Sequence, residues 1–256
     1  MMNFDSYECL SFDCYGTLID WETGLLQALR PIFARHGVEV EDRRLLESYG
    51  HAEAAIQSQQ YRPYREVLRQ VLVRLGDEYG FAPTVGEQND FADSVRLWPP
   101  FPDSTEALRR LQTRYRLIVL SNIDDDLFQG SAEQLQVDFE HVFTAQQIGA
   151  YKPSRKNFEF LLNHAGVERS RLLHVAQSLF HDIAPAKALG LATVWVNRRA
   201  GKEGFGATVP AEAQPDVEVP DLKTLVRLAV AETLMAADAD AGRGVLGLQG
   251  SDRAGE

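Results

Sequence analysis

The chain has 256 residues, of which 45% are hydrophobic, and a formal net charge of -11. That is enough length and apolar content for one large domain or a core with a smaller second module. The acidic balance argues against nucleic-acid and anionic-membrane partners, which profit from basic surface, but leaves room for a small anionic substrate in a locally basic pocket.

The two cysteines, Cys9 and Cys14, are too few and too close to frame a disulfide fold and read as buried free thiols. Met-Met-Asn-Phe-Asp at the N-terminus has neither the basic nor the apolar stretch of a leader. No apolar run approaches the ~20 residues of a membrane span. A soluble cytoplasmic protein is the expectation.

The first predicted strand is Cys9 to Phe12, and it runs straight into Asp13-Cys14-Tyr15-Gly16-Thr17-Leu18. A carboxylate at the carboxyl end of a buried strand, before a glycine-bearing turn, lies where open α/β sheets place their chemistry. Asp13 is therefore the leading candidate for a nucleophile. From about Asp20 to Pro99 no strong strand appears. Leu25, Leu26, Leu29, Ile32 and Phe33 mark one helix in this interval, and Val67, Leu68, Val71, Leu72 and Leu75 mark another. Residues 20–98 thus read as a helical module inserted after the first strand. Trp98-Pro99-Pro100-Phe101-Pro102 makes a stiff return, since proline fixes its own φ and restrains its predecessor.

Four further strands follow at Leu117 to Leu120, His141 to Thr144, Leu172 to Ala176 and Ala192 to Val196. Helical stretches fall between them. One shows Phe158, Leu161, Leu162 and Ala165 and ends near Gly166, and another shows Leu222, Leu225, Val226, Ala229 and Val230. Strands alternating with amphipathic helices predict an α/β fold, a Rossmann-like parallel sheet covered on both faces. The core takes residues 1–19 and 99–235. The stretch 236–256, rich in Ala, Asp and Gly, reads as a disordered tail. Arg198, Arg199 and Lys202, among Gly201, Gly204 and Gly206, form a basic glycine-rich loop without the strand–turn–helix setting of a nucleotide fingerprint. It reads as a solvated loop in preference to one closing over a site.

Besides Asp13, three elements end at strand tips: Ser121-Asn122, Lys152 in Gly149-Ala150-Tyr151-Lys152-Pro153, and Asp182 beyond His174-Val175-Ala176-Gln177-Ser178. Singly, these are ordinary turn and loop residues. In this order they resemble the haloacid dehalogenase superfamily over roughly residues 7–200. The resemblance implies a Rossmannoid core, a mobile helical cap above Asp13, and an aspartate nucleophile that forms a covalent intermediate. On it, Lys152 holds Asp13 ionised, Ser121 and Asn122 bind the substrate's anionic part, and Asp182 orients water or Lys152.

Phosphatases of that superfamily carry a second Asp two residues after the nucleophile, and here that position is Tyr15. Where their fourth motif supplies a pair of acids for Mg²⁺, Gln177 stands at the first and Asp182 alone remains. Asp-x-Tyr-Gly-Thr-Leu is instead similar to the opening motif of the L-2-haloacid dehalogenases, which resemblance implies a cofactor-free attack on carbon of a small anionic organic acid, and allows a homodimer. The cap arginine of those enzymes is absent from Glu47-Ser48-Tyr49-Gly50-His51-Ala52-Glu53. His51 stands close to its place, and Arg62 and Arg65 are the candidates to replace it from the next helix. Their tyrosine after the Lys-Pro motif is Phe158 here, and of their fourth motif Ser178 and Asp182 look reusable. Trp21 is placed either in the pocket wall or in the hinge. Phe12 to Gly24, Gln177 to Asp182 and Gly201 to Thr208 look like an (S)-azetidine-2-carboxylate hydrolase type, which opens a strained C–N ring and needs a proton donor, for which His181 or His51 is available. A Mg²⁺-dependent phosphatase is the remaining alternative.

Overall fold

The computed structural model describes residues 2–230, so the tail beginning at 236 lies outside the described residues. Six strands form one sheet in the order β3-β2-β1-β4-β5-β6. They are β1 (Cys9–Phe12), β2 (Arg116–Ser121), β3 (His141–Thr144), β4 (Leu172–Ala176), β5 (Ala192–Val196) and β6 (Val217–Val219). Every neighbouring pair is parallel. Parallel strands need crossovers that cover both faces, so their side chains alternate between two apolar layers. Leu10, Phe12, Leu117 and Val119 pack on one side. Cys9, Ile118 and Leu120 pack on the other with Phe158 and Leu161.

The five strands predicted from apolar runs lie where the sheet has them. β6 was not predicted. It is three residues long, sits between Pro215 and Pro220, and exposes Glu218 at the sheet edge, so it offers no apolar run.

Between β1 and β2 the chain is helical: α1 (Trp21–Arg35), α2 (Asp42–Gln57), α3 (Tyr64–Tyr79), α4 (Val85–Asp93), then α5 (Ser104–Gln112). The first two predicted helical faces fall on α1 and α3. Asp20 caps α1 by accepting from the Thr23 N–H and hydroxyl. Thr84 and Glu87 cap α4 reciprocally. The outgoing and returning chains of this insertion are tied side by side: Asp20 N–H donates to Pro99 O at 2.8 Å and Phe101 N–H to Leu18 O at 3.0 Å. Beyond β2 come α6 (Asp125–Leu135), α7 (Ala145–Ile148), α8 (Arg155–His164) and α9 (Ala184–Ala188). A last helix begins at 222 and continues to 230.

β1 lies where the order of the strands reverses, the crevice in which open sheets bind ligands. Phe12 pairs with Val119 of β2 and Val175 of β4. Asp13 is therefore level with Leu120 and Ala176, and the residues after each strand tip meet above it.

The glycine-rich loop departs from its expected solvated state. Arg198 donates to Asp103 at 2.9 Å and to Thr17 O, with its guanidinium 4.1 Å above the Phe101 ring. Arg199 donates to Glu22 at 2.6 Å, and the same carboxylate accepts from the Ala207 N–H. Within 198–208 only the tip, Ala200 to Gly204, is exposed. The loop passes so close to α2 that a Cβ on Gly50 would lie 2.5 Å from Ala207 O. Gly50→Ala is accordingly expected to lower stability in urea denaturation by roughly 1–3 kcal/mol, the cost of overpacking. Gly86→Ala in α4, where an added Cβ meets nothing nearer than 3.8 Å, should instead gain up to about 1 kcal/mol of helix propensity.

Candidate active site

Lys152 organises the strand tips. Its Nζ donates to Asp13 Oδ1 at 2.8 Å, Asp182 Oδ1 at 2.7 Å and Leu120 O at 2.9 Å. All three side chains are buried. Burial alone would lower the lysine pKa, but the two carboxylates more than reverse this and hold it above its ordinary value. The ammonium therefore stays charged. Burial also lifts Asp13, with Asp182 adding to the lift and Lys152 opposing it. Burial works the same way on Asp182, but Lys152 and His174 outweigh it and keep that carboxyl low.

Each member is held by its own local device. Thr17 donates to Asp13 Oδ2 at 2.7 Å and accepts from the Gln177 N–H at 2.9 Å. The turn that brings Thr17 back needs Gly16, whose φ is +91° and whose missing Cβ would press on Gln177 and Trp21. Asn122 grips the Lys152 backbone from both sides, accepting from its N–H at 2.7 Å and donating to its carbonyl at 3.0 Å. Asp182 sits in a π-helical turn, Leu179–Ile183. Its Oδ1 also takes His174 Nε2 at 3.0 Å. Since a carboxylate only accepts, that nitrogen carries the proton, and Nδ1 lies 2.9 Å from the Ser11 hydroxyl.

A cavity of about 30 Å³ opens on this constellation. Of the candidate residues, Asp13, Tyr15, Trp21, Ser121, Asn122, Lys152, Ser178, His181 and Asp182 line it. Ser121 Oγ and Asp182 Oδ2 are buried without a hydrogen-bond partner among the described residues. Ser178 Oγ accepts from the His181 N–H at 2.8 Å. A recess of about 340 Å³ adjoins the cavity and shares Gln57, Lys152 and His181 with it.

The candidates for replacing the cap arginine are not brought to the cavity. His51 is exposed on α2, with its ring 5.2 Å from Phe205. Arg62 is engaged with Gln70 and Gln59. Arg65 is engaged with Asp93 at 2.8 Å and Asp126 at 2.7 Å. Arg62 is thus held by two side-chain amides and Arg65 by two carboxylates. Lys152 is the only lysine or arginine among the described residues lining the cavity, and burial pushes the neighbouring His181 down to about 4, so it is neutral at pH 7.

Several lining residues had no signal strong enough to select them. Thr208 arrives on the loop expected to be solvated. Gln57 and Glu53 lie on α2, Tyr64 on α3. Glu53 is 3% exposed and lies among Leu45, Leu46, Tyr49, Ala52 and Ile56 on the buried face of α2. Its Oε1 accepts from Tyr49 Oη at 2.9 Å and from Tyr64 Oη at 2.6 Å. Burial lifts its pKa to about 7, against the lowering effect of the two hydroxyls. A lone acid on an otherwise apolar helical face is the signal that was available.

A Mg²⁺ ion does not fit this donor set. Magnesium wants several oxygen ligands in octahedral array, yet the Lys152 ammonium already stands between the two carboxylates. Tyr15 directs its hydroxyl to Ser131 at 2.9 Å. Among the described residues no group of three or more His, Cys, Asp or Glu is arranged to hold a metal.

A family model described as haloacid dehalogenase-like hydrolase matches residues 7–190. Haloacetate dehalogenase H-2 of Moraxella sp. (strain B) is 26% identical, over 86% of this chain and 97% of that one. The (S)-2-haloacid dehalogenase of Pseudomonas sp. (strain YL) is 24% identical, over 88% and 95%. The fold is shared with the L-2-haloacid dehalogenase of Xanthobacter autotrophicus solved with chloropropionic acid covalently bound. That structure has a TM-score of 0.72 and 21% identity, covering 87% of this chain and 98% of that one.

Two outcomes are expected from substitutions here. Lys152→Met leaves two buried carboxylates without their counter-charge and should cost about 3–5 kcal/mol in denaturant unfolding. Glu53 has a folded pKa above its unfolded one, so its contribution to stability is complete below about pH 4.5 and lost as the pH rises through about 7. Glu53→Gln should remove that loss. The stability difference between the two proteins should change by a few kcal/mol between pH 4 and pH 8, at about 1.4 kcal/mol for each pH unit that separates the folded titration from the unfolded one.

Proposed function

This chain belongs to the haloacid dehalogenase-like hydrolases, and on that premise we propose that it displaces a leaving group from C2 of a small 2-substituted carboxylic acid, using Asp13 as nucleophile. The observation that carries this reading is the union of the Asp13–Lys152–Asp182 cluster with a tyrosine, turned away to Ser131, where a phosphatase needs an acid. Phosphoester cleavage calls for a proton on the leaving oxygen and a metal on the phosphoryl group. Attack on carbon needs neither, and no cofactor enters the reaction proposed.

Asp13 attacks C2 and forms an aspartyl ester while the C2–leaving-group electron pair departs with the leaving group. Lys152 and Thr17 hold the carboxylate in place for this step. Ser121 Oγ offers a donor to the substrate carboxylate, while Asn122 acts as a positioning residue through Lys152. Water then adds to the Asp13 carboxyl carbon, oriented by the free Asp182 Oδ2, and releases the 2-hydroxy acid. Residues 20–98 serve as the cap. The cavity is narrow and adjoins a larger recess with which it shares Gln57, Lys152 and His181, and substrate enters from that side. The names of the relatives, haloacetate and haloacid dehalogenases, support the substrate class, and the covalent chloropropionic acid in the Xanthobacter enzyme supports the ester.

The test is a single turnover in H₂¹⁸O on L-2-haloacids and related 2-substituted acids, in EDTA, followed by mass spectrometry of the Asp13 peptide. One ¹⁸O is expected in that peptide, and turnover without it would sink the ester mechanism. Asp13→Asn should lower turnover about 10³-fold or more.

A further inference from the structure

Resting on the ester at Asp13, we propose that His174 is a positioning residue for the second half of the reaction. It fixes Asp182 so that this carboxylate takes a proton from the water that hydrolyses the ester, while ester formation proceeds without its help.

His174 lies inside β4 and not at its tip. It is level with Ser11 of β1, and both are 0% exposed. The sheet face they share is otherwise apolar, with Cys9, Ile118, Leu120 and Leu172. The Phe158 ring stands at right angles to the imidazole, with centroids 5.4 Å apart. Stability alone does not call for a polar pair here, since two bonded polar partners can be exchanged for apolar groups of like shape with little loss. Their contacts lead instead to the site. Ser11 Oγ lies 2.9 Å from Nδ1, and Nε2 donates to Asp182 Oδ1 at 3.0 Å.

The two oxygens of Asp182 are thereby made different. Oδ1 takes both Lys152 Nζ and His174 Nε2, whereas Oδ2 has no hydrogen-bond partner among the described residues. In the resting site the Lys152 ammonium is divided between Asp13 and Asp182. Esterification removes the charge of Asp13, and of the two carboxylates bonded to Lys152 only Asp182 then remains charged. An ammonium on a flexible stem has three donors to turn, and nothing in that pair alone keeps Oδ2 out of a two-oxygen contact with it. His174 supplies the restraint: a second donor on Oδ1, carried by a strand and tied to Ser11, holds the carboxylate against rotation. Burial lifts the Asp182 pKa, but Lys152 and His174 outweigh it and keep the group low, so it meets the water ionised. Ester formation depends instead on Lys152 and Thr17, which bond to Asp13 directly.

The step needs water and no other co-reactant. Water adds its oxygen to the Asp13 carboxyl carbon as one of its protons passes to Asp182 Oδ2. The bond from that carbon to the substrate oxygen then breaks, its electron pair leaves with the oxygen, and Asp182 returns the proton to complete the 2-hydroxy acid. The water's other proton departs as Asp13 ionises again beside Lys152.

The experiment is a rapid-quench single turnover of L-2-chloropropionate with enzyme in excess. Chloride release and the added mass on the Asp13 peptide are followed together, which gives the rates of ester formation and decay separately. In His174→Phe, whose ring suits the apolar face, the ratio of decay to formation should fall at least about 10-fold, a part of the roughly 10²–10⁴ that a positioned acid–base group supplies, and the ester should accumulate. His174→Gln retains a donor for Asp182 and an acceptor for Ser11 and should recover most of that ratio. Should His174→Phe fail to fold, as judged by circular dichroism, Ser11→Ala serves. It frees the far side of the imidazole and should lower the same ratio. An unchanged ratio in either variant would overturn the positioning role, as would a slowing confined to ester formation or a His174→Gln no better than His174→Phe. Each of these results leaves the ester standing. Chloride release without added mass on Asp13 would overturn the nucleophile beneath it, and the absence of both would overturn the proposed reaction itself.

Discussion

A buried ammonium shared between two carboxylates is the constraint from which the site is built. Removing three charged groups from water is costly, and attraction compensates only when the geometry is close and the remaining donors find partners. The Lys152 Nζ meets that condition with Asp13, Asp182 and the Leu120 carbonyl, all within 2.9 Å. The arrangement depends on sheet register. β1 must lie between β2 and β4 with Phe12 level with Val119 and Val175. A register slip would carry Asp13 away from the carbonyl that anchors the lysine. Asn122 and His174 complete the frame, one holding the Lys152 backbone and the other the far side of Asp182.

The helical insertion is joined to this frame where the chemistry begins. Asp13 lies five residues before Leu18, and Leu18 and Asp20 bond to the returning chain at Phe101 and Pro99. The apolar layer on that side of the sheet continues from Phe12 and Val119 into Trp21, Leu25, Tyr49 and Leu68. The insertion therefore shares a core with the sheet and supplies its own wall to the cavity. The loop from Arg198 to Thr208 adds a second tie, through Glu22 on α1 and the close passage at Gly50 on α2.

What the sequence disclosed follows from how each feature is encoded. The five buried strands stand out because parallel strands are apolar on both faces, and the strand-tip residues Asp13, Ser121, Lys152 and Asp182 are found by their position relative to those runs. α2 was harder to see: Glu53 and Gln57 interrupt its apolar face, and these are the residues that turn toward the cavity. His174 was hidden inside a strand, where a polar residue reads as a sheet position until its bonds to Ser11 and Asp182 are seen. The basic loop misled for a different reason. Its charges suggest water, but Arg198 and Arg199 are neutralised by Asp103 and Glu22, distant in sequence. Arg62 and Arg65 illustrate the converse, with the right chemistry in roughly the right place and partners that hold them elsewhere.

The cavity thus divides by origin. The strand tips carry the groups that any displacement at carbon needs: a carboxylate, its counter-charge and a place for water. The helical insertion adds a carboxyl, Glu53 between two tyrosine hydroxyls, to a wall where the strand tips already bring two. Electrostatic contributions in a dry site act most strongly where charge changes. The one ammonium of Lys152, shared by Asp13 and Asp182, is therefore the group on which the balance of that wall turns.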